Sequence, residues 1–314
     1  MNRYCPSQQD GVLVLNKGRG PSSAACLGAI KKRLGQPRIG HAGTLDPMAE
    51  GVLLVLLGQA TKISGHLMHG GGKIYNGVIR LGVVTDTWDA EGRVLERFAV
   101  KDIDPSLLHE VCATFVGSHE QEVPAYSAAK HQGRPLYELA RKGLDTPVKK
   151  KMVNVYRCEV ELVDPERVFF RVSCGSGTYI RSLAHSLGKR LGCGGTLEKL
   201  TREYSRPFGM DEAHTLEEVL ENPEAFPSRL YGIAEALPDW PQIRLTQAET
   251  AIVRNGGRLS VSGDRVLALA PGQNLLLFDA DGQVLALGEF LGDSPEQSGV
   301  ESGVLRITRG LWNT

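Results

Sequence analysis

Gly40-His41-Ala42-Gly43-Thr44-Leu45-Asp46-Pro47-Met48-Ala49-Glu50-Gly51, continuing as Val52-Leu53-Leu54-Val55-Leu56-Leu57-Gly58-Gln59-Ala60-Thr61, reads as a loop that feeds a buried strand. Gly40 and Gly43 permit a tight backbone, and Pro47 fixes the chain after Asp46 while disfavouring a helical conformation at Asp46 itself. Residues 52–57 are apolar without interruption between two glycines, the pattern of a strand buried on both faces. A rigid carboxylate mounted on such a strand is how a scaffold presents a reactive group at the floor of a cleft. The same residues also suit an Asx-turn, in which Asp46 bonds only its own backbone.

The 314-residue chain is 41% hydrophobic and 23% charged, an ordinary globular composition with room for two domains. Thirty-six basic and thirty-six acidic residues cancel, so a polyanion partner has to be sought in local patches. Residues 239–314 carry six Arg, no Lys and nine acids, which leaves the positive excess in the larger part. Cys5, Cys26, Cys112, Cys158, Cys174 and Cys193 are scattered without a Cys-x-x-Cys pair and read as reduced core residues. The opening residues are polar, unlike a signal peptide, and no apolar run reaches the roughly 18 residues of a membrane span, so the cytoplasm is the expected location. His66 and His69 lack a second ligand group for a metal, and Gly70-Gly71-Gly72-Lys73 is followed by Ile74 where a phosphate loop needs Ser or Thr.

Outward from the central stretch, residues 11–16 read as a strand ended by a Lys17-Gly18-Arg19-Gly20-Pro21 turn, after which Ser22 or Ser23 can cap a helix. Leu27, Ile30 and Leu34 recur at helical spacing, with Lys31, Lys32 and Arg33 where cations suit the helix dipole. Residues 65–72 read as a loop, and residues 73–81 as a strand whose Tyr75, Gly77, Ile79 and Leu81 share an apolar face. A polar turn, Thr85-Asp86-Thr87-Trp88-Asp89, precedes a return strand over 93–100. Asp104-Pro105 starts a helix with Leu107, Leu108, Val111, Cys112 and Phe115 as its inner stripe. Residues 153–163 and 167–174 form a hairpin, and the second strand runs through Gly175-Ser176-Gly177-Thr178-Tyr179 into a helix. Arg181 near that helix start opposes the dipole, which points to an anion held beside it, although a solvated surface Arg fits the same pattern.

Residues 128–157 hold eight Lys or Arg against two acids, with Tyr126, Tyr137 and Tyr156 in or beside them. Cations interleaved with aromatics suit a nucleic-acid surface, and equally a solvated loop. Residues 196–206 add further cations, and residues 216–220 begin a short helix. Pro227, Pro238 and Pro241 mark a linker. Beyond it, residues 266–270, 274–278, 284–290 and 304–308 read as short strands of a small β-barrel, the middle pair joined by Asp281-Gly282.

The stretch from Gly40 to Gly51 resembles the catalytic motif of the bacterial TruB-type tRNA pseudouridine synthases. The resemblance continues in order through Gly58-Gln59-Ala60-Thr61-Lys62, Lys73-Ile74-Tyr75, Leu81-Gly82 with Thr85-Asp86-Thr87, residues 124–130, Leu136-Tyr137-Glu138-Leu139-Ala140-Arg141, residues 177–181 and Leu200. One departure is Asn16-Lys17-Gly18, where the family commonly has Asp-Lys-Pro. The resemblance implies an α/β (α+β) body over residues 1–236, with a mixed, largely antiparallel sheet, flanking helices and a basic RNA-gripping insertion at about 124–153. Residues 237–314 would be a PUA-like barrel. The implied reaction is isomerisation of uridine 55 in the T-loop of tRNA to pseudouridine, by a monomer acting on the T-arm with no membrane or protein partner.

By the same resemblance Asp46 is the nucleophile, adding to C1′ or to C6 of the base, or else taking a proton from C2′. Arg181 pairs with it and keeps it ionised, and Tyr75 stacks on the uracil and is the candidate base for the C5 proton. The isomerisation neither gains nor loses electrons, so no cofactor or metal is required. The target base must be extruded from its loop. His41 then props the rearranged loop, Tyr179 is a polar partner near the base and Leu200 an apolar wall. Lys62, Asp86, Lys130, Lys149, Lys150 and Lys151 complete the expected RNA contacts. Two rivals are a hydrolase built on Asp46 and Arg181, which would release uracil, and a binding module that leaves the RNA unchanged.

Overall fold

The apolar stretch at residues 52–57 lies at the heart of the main sheet, in a computed structural model that describes residues 7–144, 146–262, 265, 269–293 and 302–312. The elements of the body are β1 (Gly11–Lys17), α1 (Ser23–Leu34), β2 (Ile39–Ala42), β3 (Ala49–Leu57), α2 (Ser64–His69), β4 (Lys73–Leu81), α3 (Pro105–Ala113), β5 (Gly117–Glu122), β6 (Lys150–Asp164), β7 (Arg167–Cys174), α4 (Ile180–Arg190) and β8 (Gly195–Ser205). The strand order is β1-β3-β8-β4-β7-β6-β5, with β2 folded back on β3. Only β3 and β8 run parallel in that order, and the other neighbours are antiparallel. This is the mixed, largely antiparallel sheet that the resemblance implies.

Alternation along β1 and β3 explains why residues 52–57 tolerate no polar side chain. Leu13, Leu15, Leu53, Val55 and Leu57 face α1 and meet Cys26, Leu27, Ile30 and Leu34. Val12, Val14, Val52, Leu54 and Leu56 point the other way and meet Leu276, Leu287 and Leu311 from the C-terminal part. At about 1.5–3 kcal/mol for each fully buried aliphatic side chain, residues 52–57 contribute on the order of 10 kcal/mol. Helix α1 begins as its sequence indicates, with the Ser22 side chain accepting from Ala25 N, and it ends on Gly35 at φ 62°.

The C-terminal part forms a second sheet from β9 (Gln242–Arg244), β10 (Leu259–Ser262), β11 (Asn274–Phe278), β12 (Val284–Asp293) and β13 (Ser302–Gly310), in the order β9-β11-β12-β13-β10. It fits the expected PUA-like module. Among the described residues no helix is long and apolar enough to cross a membrane.

Several local expectations are corrected. Residues 65–72 are not simply a loop: Ala60, Ile63 and Leu67 are buried at helical spacing, and α2 forms over Ser64–His69 before the glycines stop it. The first residues of the central stretch are β2 rather than loop, which confines the turn to residues 43–48. Leu107 is 45% exposed, so of the expected stripe Leu108, Val111 and Cys112 of α3, with Phe115 just beyond it, pack inward. Strand β5 escapes a pattern reading because Ser118-His119-Glu120-Gln121-Glu122 is polar. It is an edge strand whose Glu122 lies opposite Lys150 and whose Glu120 forms the ion pair with that lysine. Residues 196–205 lie in an interior strand that buries Arg202, while the cations Lys199 and Arg206 stay exposed. In the C-terminal part, β9 and β10 carried no strong signal, and the helix Gln247–Arg254 went unread although Thr246 and Glu249 form its capping box. The strand expected over 266–270 lies outside the described residues apart from Leu269 and Ala270, which are not in a strand.

Candidate active site

Asp46 heads a backbone turn with Pro47 in its second position, closed by Ala49 N donating to Asp46 O at 3.1 Å. Neighbouring elements fasten this turn. Ser23 Oγ both donates to Leu45 O and accepts from Leu45 N, each at 2.9 Å. Gly20 N donates to Pro47 O at 2.8 Å, and the buried Lys17 Nζ reaches the same oxygen at 3.3 Å. The departure at Asn16-Lys17-Gly18 thus leaves the lysine in a structural role beside the loop. From the far side, Arg202 Nη2 donates to Gly43 O at 2.9 Å.

With its backbone held, the carboxylate of Asp46 turns to Arg181, whose Nε lies 3.0 Å from Oδ2. The aspartate side chain is 39% exposed and the arginine side chain 6%, so the cation is buried and the anion presented. Arg181 also lies 3.5 Å from Asp89 Oδ2 and donates to Thr87 O at 3.1 Å and Tyr126 O at 3.0 Å. The anion that its unfavourable place on α4 points to is therefore a pair of carboxylates. Burial pushes the Asp89 carboxyl up, opposed by the Thr87 hydroxyl and the Arg181 charge. The turn bearing these groups carries Trp88 at φ 60°, stacked on His185 of α4 at 4.4 Å. His185 lies one helical turn beyond Arg181.

Tyr75 faces the buried side of β4, as its alternation indicates. Burial pushes its phenol up, partly offset by Arg202, and Asp46 is among its charged neighbours, so at neutral pH it is a neutral phenol near the carboxylate. Leu200 of β8 pairs with Gly77 of β4 and with Ala49 of β3, which brings it beside both the tyrosine strand and the aspartate turn. His41 on β2 is held neutral by burial and by Arg202, and its buried Nδ1 has no hydrogen-bond partner among the described residues. Tyr179 is the residue before α4, and its N–H donates to Gln121 Oε1 at 2.7 Å. Asp46, Tyr75 and Arg181 thus converge at one place, with Leu200 on the strand between β3 and β4.

The remaining expected contacts are dispersed. Lys62 Nζ donates to Gly310 O at 2.7 Å and so ties the body to the second sheet. Asp86 Oδ1 accepts from Arg93 N at 2.9 Å inside its own turn. Lys149 donates to the carbonyl of Lys130. Lys150 pairs with Glu120 at 3.4 Å in solvent, and Lys151 covers Gly177 in the loop before α4. Sequence reasoning missed Asp89, Ser23, Lys73 and Arg202. Lys73 is buried and donates to Ser176 Oγ at 3.0 Å, and burial, with Arg202 nearby, lowers its ammonium to about 8. For Arg202 a signal existed, since it stands two residues after Leu200 and so shares its face.

Residues 31–180 match the family described as TruB family pseudouridylate synthase, N terminal domain. A protein of Nitratidesulfovibrio vulgaris named tRNA pseudouridine synthase B is 52% identical over 312 residues, 98% of either chain. One of the same name from Syntrophotalea carbinolica is 37% identical over 95% of this chain and 97% of its own. Among solved structures, a Cbf5-Nop10-Gar1 complex contains a chain similar at 26% identity and a TM-score of 0.73, covering 97% of this chain and 85% of that one. Identity sustained over nearly the full length, on a fold and a turn of the kind described above, places the chain in a known group: it belongs to the TruB family of pseudouridylate synthases.

Proposed function

We propose that this enzyme isomerises uridine 55 in the T-loop of tRNA to pseudouridine, with Asp46 as the nucleophile. The observation that carries this reading is the Asp46 carboxylate held at 3.0 Å from a buried arginine on a turn whose backbone is fastened from several sides. Relatives named tRNA pseudouridine synthase B support tRNA as the substrate. In the reaction the N1–C1′ bond breaks, the uracil turns, and C5 joins C1′ as the C5 proton leaves and N1 gains one. Tyr75 stacks on the extruded base and receives the C5 proton while its own phenolic proton passes to water, and N1 takes its proton from water. His41 props the displaced loop, Tyr179 meets the base through its hydroxyl, and Leu200 closes the pocket. Lys130, Lys149, Lys150 and Lys151 meet phosphates at the rim, while Lys62 and Asp86 support the RNA surface through the backbone groups they hold. The body spans residues 1–236 and residues 237–314 form the second RNA-binding unit of a cytoplasmic monomer.

The test is nucleoside analysis of unmodified tRNA incubated with wild type and with Asp46→Asn. Wild type converts one uridine of the T-loop, and the variant binds tRNA yet makes no pseudouridine. Turnover by a clean Asp46→Asn preparation would sink the nucleophile assignment, release of free uracil would indicate a hydrolase, and modification outside the T-loop would overturn the position.

A further inference from the structure

Arg202 lies on the strand between the two that carry the reacting groups. In β8 it is paired with Gly51 of β3 on one side and with Tyr75 of β4 on the other. Its side chain is 1% exposed, among the largest fully buried side chains of the described residues. Nε donates to Val52 O at 2.7 Å and Nη2 to Gly43 O at 2.9 Å. One guanidinium therefore grips the chain just before and just after the turn that bears Asp46. On the β4 side it lies opposite Tyr75, whose phenol feels the guanidinium charge.

Two further features separate this residue from an ordinary core arginine. None of the ion pairs among the described residues includes it. A buried cation without a carboxylate is a poor way to stabilise a fold, since an apolar side chain fills the same volume without desolvating a charge. The close approach of β3 to β8 at this point also constrains the sequence. Gly51 adopts φ 98°, and a Cβ there would collide with the Arg202 carbonyl.

Resting on the reading of Asp46 and Tyr75 above, we propose that Arg202 is a positioning residue for the isomerisation, fixing the aspartate turn and the tyrosine hydroxyl to each other. Arg181 and Arg202 then divide the work. The first aims the carboxylate; the second sets the distance between the turn that carries it and the ring that stacks on the base. Because both acceptors of Arg202 flank the aspartate turn and its β4 neighbour is Tyr75, its loss should alter the rate of the chemical step more than RNA binding.

The experiment compares full-length Arg202→Met and Arg202→Lys with wild type. It measures kcat and KM on unmodified tRNA, tRNA affinity, thermal melting, and the 19F resonance of 3-fluorotyrosine placed at position 75. Displacement of about 1 Å at a reacting group lowers a rate roughly 100-fold, so Arg202→Met should lose about that much kcat while KM and affinity stay within about threefold. The fluorine resonance should move as the guanidinium leaves the phenol. Arg202→Lys keeps the charge and one donor, and should recover part of both the rate and the resonance position. A folded Arg202→Met with wild-type kcat overturns the proposal. So does a loss confined to KM and affinity, which would make Arg202 an RNA contact, or a fall in melting temperature and rate with the resonance unmoved, which would make it merely structural. Should Arg202→Met fail to fold, Arg202→Lys is judged by the same readings. If Asp46→Asn keeps its turnover, the reading of the site itself falls; if it is dead while the Arg202 variants are unimpaired, only this inference falls.

Discussion

Replacing Arg181 with Met should damage stability and catalysis together, by amounts the geometry allows to be worked out. The guanidinium is 6% exposed and meets Asp46, Asp89, Thr87 O and Tyr126 O. Methionine fills most of the volume and satisfies none of these acceptors. Breaking a buried ion pair costs about 3–5 kcal/mol. The long 3.5 Å contact to Asp89 argues for the lower end of that range. Asp46 is 39% exposed, so solvent screening makes its share small. A loss of about 3 kcal/mol of unfolding free energy is expected near neutral pH. The deficit should also depend on pH. Burial already raises the folded-state Asp89 carboxyl above its ordinary value of 3.8, and removal of the cation raises it further. A carboxyl raised in the folded state loses stability as pH climbs from the unfolded value through the folded one, so the deficit grows from acid towards neutrality. Turnover should fall by about 100-fold or more, because Arg181 is the one ion-pair partner of the carboxylate among the described residues. Urea unfolding at pH 5 and pH 8, with pseudouridine quantified by nucleoside analysis, measures both effects. An Arg181→Met protein with an unchanged urea midpoint and a near-normal rate would refute the reasoning.

Three other outcomes follow from the same geometry. Changing Lys149, Lys150 and Lys151 together to Ala should flatten the plot of log affinity for tRNA against log salt by roughly 0.7–0.9 per lost phosphate contact; an unchanged slope returns these residues to a solvated surface. Lys73 has its ammonium lowered from 10.5 to about 8, so the folded state binds fewer protons than the unfolded chain across that window and wild-type stability should rise with pH there. Relative to Lys73→Met, wild type should gain up to about 3 kcal/mol between pH 8 and 10.5, and parallel unfolding curves would contradict this. A chain ending at Ala236 retains every proposed catalytic residue but uncovers Val12, Val14, Leu54 and Leu56, which pack on Leu276, Leu287 and Leu311. It should aggregate or bind an apolar dye, and a monomeric, dye-negative truncation with native melting would show that the shared core is dispensable.

The elements that sequence located well are those whose own periodicity settles their burial. Residues 52–57 are apolar at every position because both faces of β3 are covered, and Leu27, Ile30 and Leu34 repeat at the pitch of the helix they form. Asp46 was legible because Pro47 and the neighbouring glycines constrain the backbone locally, and Arg181 because its place at a helix start calls for an anion. Strand β5 and helix α2 were not legible. One is a polar edge whose pairing depends on β6, and the other is held by buried residues on either side of a glycine that argues against a helix.

What sequence alone determined, then, was the presence of a rigid carboxylate on a doubly buried strand, a tyrosine on an apolar face, and a family resemblance running in order along the chain. Tertiary structure decided which charges meet. Asp89 looked like one more polar residue of a turn, and Arg202 like one more cation in a basic run. Their roles come from the strand order β3-β8-β4 and from the packing of α4 against the turn at Thr87. Contacts between residues more than a hundred positions apart, such as Arg202 with Gly43, leave no periodic trace in the chain, because periodicity reports only the surroundings of each element and not the partner that provides them.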